Sequence, residues 1–343
     1  MAAYISFQPK DYYSTKLYTG NGGTQTISGV GFQPDFTWIK DRDATESHTL
    51  QDAARGAGER LYANSTAAET NSAISITSWN SDGFALGAGG EVNTNADDFA
   101  SWNWKMGTTS GLSGGTITPA SYSINTTAKQ GIYKWAGTGS NGTIAHGLGS
   151  TPKMFIVKQL NSTAGWQVYH QGMGPTKVIY LNSTAQPDTS STVWNDTAPD
   201  ATTLSLGTNT GTNASGSDYI GYAFCDVKGY CKCGTFVGNN SATDGPFVYT
   251  GFRPAFVLVK VYDYSAAWTL FDDRRLGYNP TNEVFSPDTN ITSRASWMSD
   301  IYSNGFKPFN NDPQINGSGT NYIYLAFSEF PIVSSNDVPG LAR

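Results

Sequence analysis

Pro34-Asp35-Phe36-Thr37-Trp38-Ile39-Lys40 returns as Pro152-Lys153-Met154-Phe155-Ile156-Val157-Lys158 and again as Pro254-Ala255-Phe256-Val257-Leu258-Val259-Lys260. In every copy the next landmark, His48, Trp166 or Trp268, stands fourteen residues beyond the proline. Two intervals preserved in three places mark an internal repeat. Downstream, Asn93, Asn213 and Asn316 each stand six residues before Phe99, Tyr219 and Tyr322, which open alternating strands. Upstream, Tyr18 with Gly20, Trp135 with Gly137 and Phe236 with Gly238 mark equivalent entry strands. The period is roughly 100 to 120 residues, the size of a domain and not of a solenoid coil.

The class of structure follows from what fills each copy. Charged residues make up 14% of the 343-residue chain, aromatics reach 13%, and there are 38 glycines; an ordinary soluble domain carries about 25% charge. Short β-branched and aromatic runs bounded by Gly, Asn, Asp or Pro read as strands. One window, Leu50 to Tyr62, with Ala53, Ala54 and Ala57 between charges, reads as a short helix. The reading is all-β: three tandem antiparallel β-sandwich modules, since strands apolar on one face need a second sheet to cover it. The modules are placed at residues 1–107, 117–229 and 230–330. A Gly/Ser/Thr-rich linker at 108–116 is expected to act as a joint, and 331–343 as an extended tail. Within each copy the proline opens a strand, where its missing N–H costs nothing, and Lys40, Lys158 and Lys260 end it at the sheet rim. The loops that follow, 41–47, 159–165 and 261–267, supply variable surface. Ser81-Asp82-Gly83-Phe84 and Ser303-Asn304-Gly305-Phe306 read as tight turns needing positive φ at glycine.

Several functions are disfavoured by composition. Net charge is −6 with scattered basic residues, whereas nucleic-acid binding needs a clustered basic surface. No signal peptide or membrane-length apolar run is evident, so synthesis and folding in the cytoplasm are expected. Cys225, Cys231 and Cys233 read as ordinary strand thiols, three being too few for a Cys/His zinc site and an odd number for a disulfide framework. Asn-x-Ser/Thr triplets follow from the Asn, Ser and Thr content.

Candidate chemistry is sparse. Glutamates fall at no equivalent position in two copies, which argues against paired catalytic carboxylates. The recurring polar position, Asp52, His170 and Asp272, alternates between carboxylate and imidazole, which fits a structural hydrogen bond near a strand end better than catalysis. Asp41 with Asp43, and Asp97 with Asp98, are the acid pairs a calcium ion would choose, yet adjacent loop acids are more often simply solvated. Trp38, Trp102, Trp104, Trp135 and Trp166 read as core. Trp79, Trp194 and Trp297 occupy related places, with core packing favoured over stacking on a sugar. No metal and no cofactor is expected.

Longer motifs carry a resemblance. Tyr4-Ile5-Ser6-Phe7-Gln8-Pro9, Gly31-Phe32-Gln33-Pro34-Asp35-Phe36-Thr37-Trp38-Ile39-Lys40, Trp194-Asn195-Asp196-Thr197-Ala198-Pro199-Asp200, Gly251-Phe252-Arg253-Pro254-Ala255-Phe256-Val257 and Phe330-Pro331-Ile332-Val333-Ser334-Ser335-Asn336-Asp337-Val338-Pro339 together resemble a family of virion structural proteins of tailed bacteriophages, common in marine phages. The resemblance implies concanavalin-like or jelly-roll-like sandwiches in a non-enzymatic, tail-fibre-like adhesin. The alternatives are a capsid or tail decoration or adaptor protein and, more remotely, an exopolysaccharide depolymerase. It also implies a virion location, other virion proteins as partners, a host glycan or envelope protein as receptor, and a homo-oligomer, a trimer among the options. No catalytic residues come with it. The partner-facing surface is expected on the third module, where loop aromatics give contact energy at low entropic cost: Tyr262 and Tyr264, with Tyr302 and Phe309 nearby.

Overall fold

The computed structural model describes residues 7–275, 279, 283–295 and 299–330; Gly277, Trp297, the opening Tyr4-Ile5-Ser6 and the segment 331–343 lie outside the described residues. The described chain is built from antiparallel strands, with one short 3-10 turn and three single-turn helices among them. Three large sheets repeat one strand order: entry strand, last strand, proline strand, next strand. In the first repeat these are Tyr13–Thr19, Asp98–Trp104, Phe36–Asp41 and Thr49–Asp52; in the second Gln130–Ala136, Asp218–Phe224, Met154–Gln159 and Gln167–His170; in the third Cys231–Val237, Asn321–Phe327, Phe256–Val261 and Thr269–Asp272. Register repeats as well, with Trp38 opposite Trp102, Ile156 opposite Tyr222 and Leu258 opposite Leu325. Each large sheet has a small companion: Gln25–Ser28, Gly83–Leu86 and Ile76–Asn80; Gly142–Ala145 with Thr203–Leu206; and Val248–Tyr249, Gly305–Pro308 and Ser299–Tyr302.

The proline strands are buried at every residue, and alternation sends their side chains to two different cores. Ile39, Val157 and Val259 face their own companion sheets and complete the three sandwich interiors. Trp38, Ile156 and Leu258 face the other way, into one apolar cluster that takes residues from all three repeats. A strand covered on both faces has no polar side to show, which is why these runs are uninterrupted by polar alternation. At the centre, Phe36, Trp38, Ile156, Tyr222, Phe256 and Leu258 border an apolar cavity of about 10 Å³.

Polar contacts between repeats close in a ring. Asp52 of the first accepts from the Tyr222 hydroxyl of the second at 2.7 Å. His170 of the second meets the Tyr324 carbonyl of the third at 3.2 Å, and Asp272 of the third accepts from Trp102 Nε1 of the first at 3.3 Å. A second layer follows the same direction: Trp166 Nε1 donates to Tyr62 O and Trp268 Nε1 to Tyr180 O, both at 2.9 Å, while His48 meets Phe285 edge-on with ring centroids 5.6 Å apart. The three repeats are therefore arranged cyclically around their shared core.

Several expectations change. Lys40, Lys158 and Lys260 are buried within their strands and not set at a rim. Lys158 Nζ donates to Thr66 O at 3.1 Å and Lys260 Nζ to Ser183 O and Thr184 O at 3.2 and 3.1 Å, so these two ammonium groups pin neighbouring repeats, whereas Lys40 Nζ donates to Asp41 O and Ala44 O of its own repeat. The loops after them serve the same joints: Ala164 N donates to Thr66 O at 2.9 Å and Asn290 Nδ2 to Thr45 O at 3.1 Å. Leu50 to Tyr62 is a strand, a turn and a strand, because Gly56 and Gly58 have φ of 105° and 86°. Gly305 has no positive φ; it is needed because a Cβ there would lie 2.2 Å from Val248 O. Within 108–116, Thr108 N donates to Ile124 O at 2.9 Å and Leu112 N to the Tyr122 hydroxyl oxygen at 2.8 Å. Asn93, Asn213 and Asn316 are buried, and each amide serves backbone on two flanking loops, as Asn213 does for Thr138 N, Ser140 O and Gly207 O.

Candidate binding surface

The companion sheet of the third repeat has an inner row, Val248, Phe306 and Ile301, packed in the sandwich interior. One residue along, alternation turns the next row outward. That row is Tyr249, Gly305 and Tyr302, in register across the three strands. Tyr249 is 65% exposed, and Phe247, two residues before it on the same face, is 48% exposed. Gly305 shapes the middle: a Cβ there would sit 2.9 Å from Phe247 Cζ, so the glycine is what lets the Phe247 ring lie over the sheet. Phe247 meets Tyr302 edge-on with centroids 5.7 Å apart.

A charged rim borders these rings. Lys307, paired in register with Asp300, forms an ion pair with Asp244 and sits 5.7 Å from the Phe309 ring centroid. The Tyr302 hydroxyl donates to Asp300 Oδ2 at 3.4 Å. Desolvation raises the Asp300 carboxyl above its ordinary pKa, and the bond to Asp244 raises that of the Lys307 ammonium. Two carboxylates against one ammonium leave the rim with a net negative charge.

The four residues singled out from sequence separate into two pairs. Tyr302 and Phe309 belong to this outer face. Tyr262 and Tyr264 lie in the loop 261–267; Tyr262 packs on the shared core, and Tyr264 packs on its own sandwich with its hydroxyl on Pro313 O. Phe247 and Tyr249 were not singled out, although the repeat held the signal. Their counterparts are Thr26 and Ser28 in the first copy and Thr143 and Ala145 in the second, so only the third copy carries aromatics there.

The other candidates are absorbed by structure. Trp194 is buried, its Nε1 donating to Lys177 O at 3.1 Å, and Trp79 is half-buried. Asp41 Oδ1 accepts from Asp43 N and Ala44 N at 2.8 Å, Asp43 Oδ2 from Asp98 N at 2.7 Å, and Asp98 Oδ1 from Thr19 Oγ1 at 2.8 Å. Among the described residues no group of three or more His, Cys, Asp or Glu is placed to hold a metal, and no helix is long and apolar enough to cross a membrane. The three cysteines are buried free thiols, that of Cys225 pushed up to about 12 by burial.

The fold and surface define an all-β chain of repeated sheet pairs with an aromatic face on one repeat. Residues 8–331 match the family described as Domain of unknown function (DUF7483), and the chain belongs to that family. No curated protein and no solved structure matches it.

Proposed function

We propose that this chain is a non-enzymatic structural protein of a tailed-bacteriophage virion, assembled in the host cytoplasm, which acts as a tail-fibre-like adhesin. The observation that carries the reading is the exposed aromatic face confined to one of three otherwise equivalent positions. The phage-like motifs, from Gly31 to Lys40 and from Phe330 to Pro339, support the virion setting. Low charge and abundant Asn, Ser and Thr suit contact with a host glycan or envelope protein. The test is adsorption: purified chain should bind host cells and compete with particles for attachment. Absence of cell binding, together with a particle reconstruction placing many copies on the capsid lattice, would sink the adhesin reading.

The cyclic arrangement of repeats favours a second reading, a decoration or adaptor protein. One chain offering three related units about an axis suits a seat over a threefold position among other virion subunits. The same reconstruction separates the two, because an adaptor lies between subunits and an adhesin faces outward.

A further inference from the structure

We infer that the face formed by Phe247, Tyr249 and Tyr302 binds an uncharged glycan by stacking a pyranose ring on its aromatic side chains. The inference rests on the adhesin reading and specifies its ligand. Three features point to this occupant. First, two of the three rings are held in place: Gly305 lets Phe247 lie across the sheet, and Phe247 in turn abuts Tyr302. Such a platform costs little entropy on binding and offers a π face to the C–H groups of a sugar. Second, hydroxyl-binding groups border it. The Tyr302 hydroxyl, Asp300, Asp244 and Lys307 lie along one side, and paired charges at a rim accept and donate to sugar hydroxyls without leaving a buried ion unpaired. Third, size and charge exclude the competitors. Outward strands two spacings apart set Tyr249 and Tyr302 about 9 to 10 Å apart at Cβ, the breadth of a disaccharide. The exposed ring surface is on the order of 200 to 300 Å², far below the roughly 800 Å² per partner of a stable protein interface. The net negative rim repels uronate and sialyl groups.

The test uses the purified full chain on immobilised oligosaccharides ending in glucose, galactose, mannose or N-acetylglucosamine, beside sialylated and uronate-bearing ones. Wild type should be retained on at least one neutral ligand, with binding little changed by added salt. The pair Tyr249→Ser and Tyr302→Ser should weaken retention at least tenfold with Tm unchanged. In a separate measurement on wild type, that same oligosaccharide should protect Tyr249 and Tyr302 from nitration, which keeps the proposal testable should the double variant unfold. Retention on no neutral ligand, preference for acidic ligands, equal retention of a folded double variant, or no protection would each overturn it. Two outcomes separate this inference from the reading beneath it. Glycan binding without competition for particle attachment leaves the inference standing and removes the adhesin. Competition that survives in the double variant does the reverse.

Discussion

Leu258→Ala tests whether the three repeats share one core or merely stand side by side. Leu258 is 1% exposed and sits in the third repeat, yet it borders the central cavity with Phe36 and Trp38 of the first repeat and Ile156 and Tyr222 of the second. Truncating a buried leucine costs about 2 to 5 kcal/mol, rising with the volume that fails to close. Collapse is resisted here, because its strand is hydrogen-bonded on both sides, to Thr269–Asp272 and Asn321–Phe327, and the new void joins an existing one. The upper part of the range applies, about 3 to 5 kcal/mol, or a fall in Tm of roughly 6 to 10 °C at about 2 °C per kcal/mol for a large cooperative unit. Calorimetry and tryptophan fluorescence provide the assay, since seven of the nine tryptophans lie in the first two repeats and Trp268 and Trp297 in the third. One transition should persist, with the fluorescence midpoint falling together with the calorimetric one. Two transitions, the third repeat melting early while the tryptophan signal holds its wild-type midpoint, would refute a shared core.

Burial lowers the pKa of Lys40, Lys158 and Lys260 to about 8. The unfolded chain then holds more protons between about pH 8 and 10.4, so stability should rise across that window. Above pH 10 it should fall, because buried Tyr13, Tyr133, Tyr222 and Tyr230 are raised and ionise first in the unfolded chain; the rise of Tm between pH 8 and 10 should lose roughly a third of its slope in Lys158→Met, since Lys40 and Lys260 remain, and an unchanged slope would contradict the assignment. Asp273 is raised to about 7 by burial despite Arg253 beside it, so its contribution is present at low pH and lost as pH climbs from about 4 through 7. Asp273→Asn should flatten the pH 4 to 7 part of the same curve, and a slope identical to wild type would refute this. Asn213→Ala removes three hydrogen bonds from a buried side chain to backbone and should cost about 2 to 4 kcal/mol at roughly 1 kcal/mol per bond plus orphaned loop groups; a denaturant midpoint within error of wild type would show those loops to be self-supporting.

How much of this was legible varies by residue. The proline strands were plain, because apolar runs such as Met154 to Val157 and Ala255 to Val259, with no polar alternation, report burial on both faces. The same signal does not say what covers the second face, and a sandwich accounts for only one. That missing cover was the other two repeats, which also explains Lys158 and Lys260. A lysine closing an apolar run looks like a rim residue until a neighbour's carbonyls are found around its ammonium group. Leu50 to Tyr62 failed for a local reason: the alanine spacing suggested helix, but Gly56 and Gly58 take left-handed backbone that a helix cannot. On the candidate surface, aromatic density near the third repeat's loops located Tyr302 and Phe309. Phe247 and Tyr249 stayed hidden because they stand out only against the threonine, serine and alanine at the matching places.

The alternation of Asp52, His170 and Asp272 shows what a repeat gains from being carried on one chain. Three residues beyond each stands Arg55, Met173 or Arg275. Asp52 and Asp272 are buried anions, and Arg55 and Arg275 neutralise them at 2.6 and 2.8 Å; each then accepts from a donor on the next repeat, Tyr222 or Trp102. His170 carries no charge to neutralise, since burial lowers its pKa to about 4, and an apolar Met173 suffices. Its Nδ1 accepts from Gly172 N at 3.0 Å, which leaves Nε2 to donate, and the third repeat, with Leu325 where Trp102 and Tyr222 stand, offers the backbone carbonyl of Tyr324. Aspartate, arginine and donor form one matched set; histidine, methionine and acceptor form another. In a ring of identical subunits every joint would have to use the same set and every outer face the same residues. Joined on one chain, the joints can differ while each stays satisfied, and the Tyr249, Gly305 and Tyr302 row can change in one repeat without being imposed on the other two.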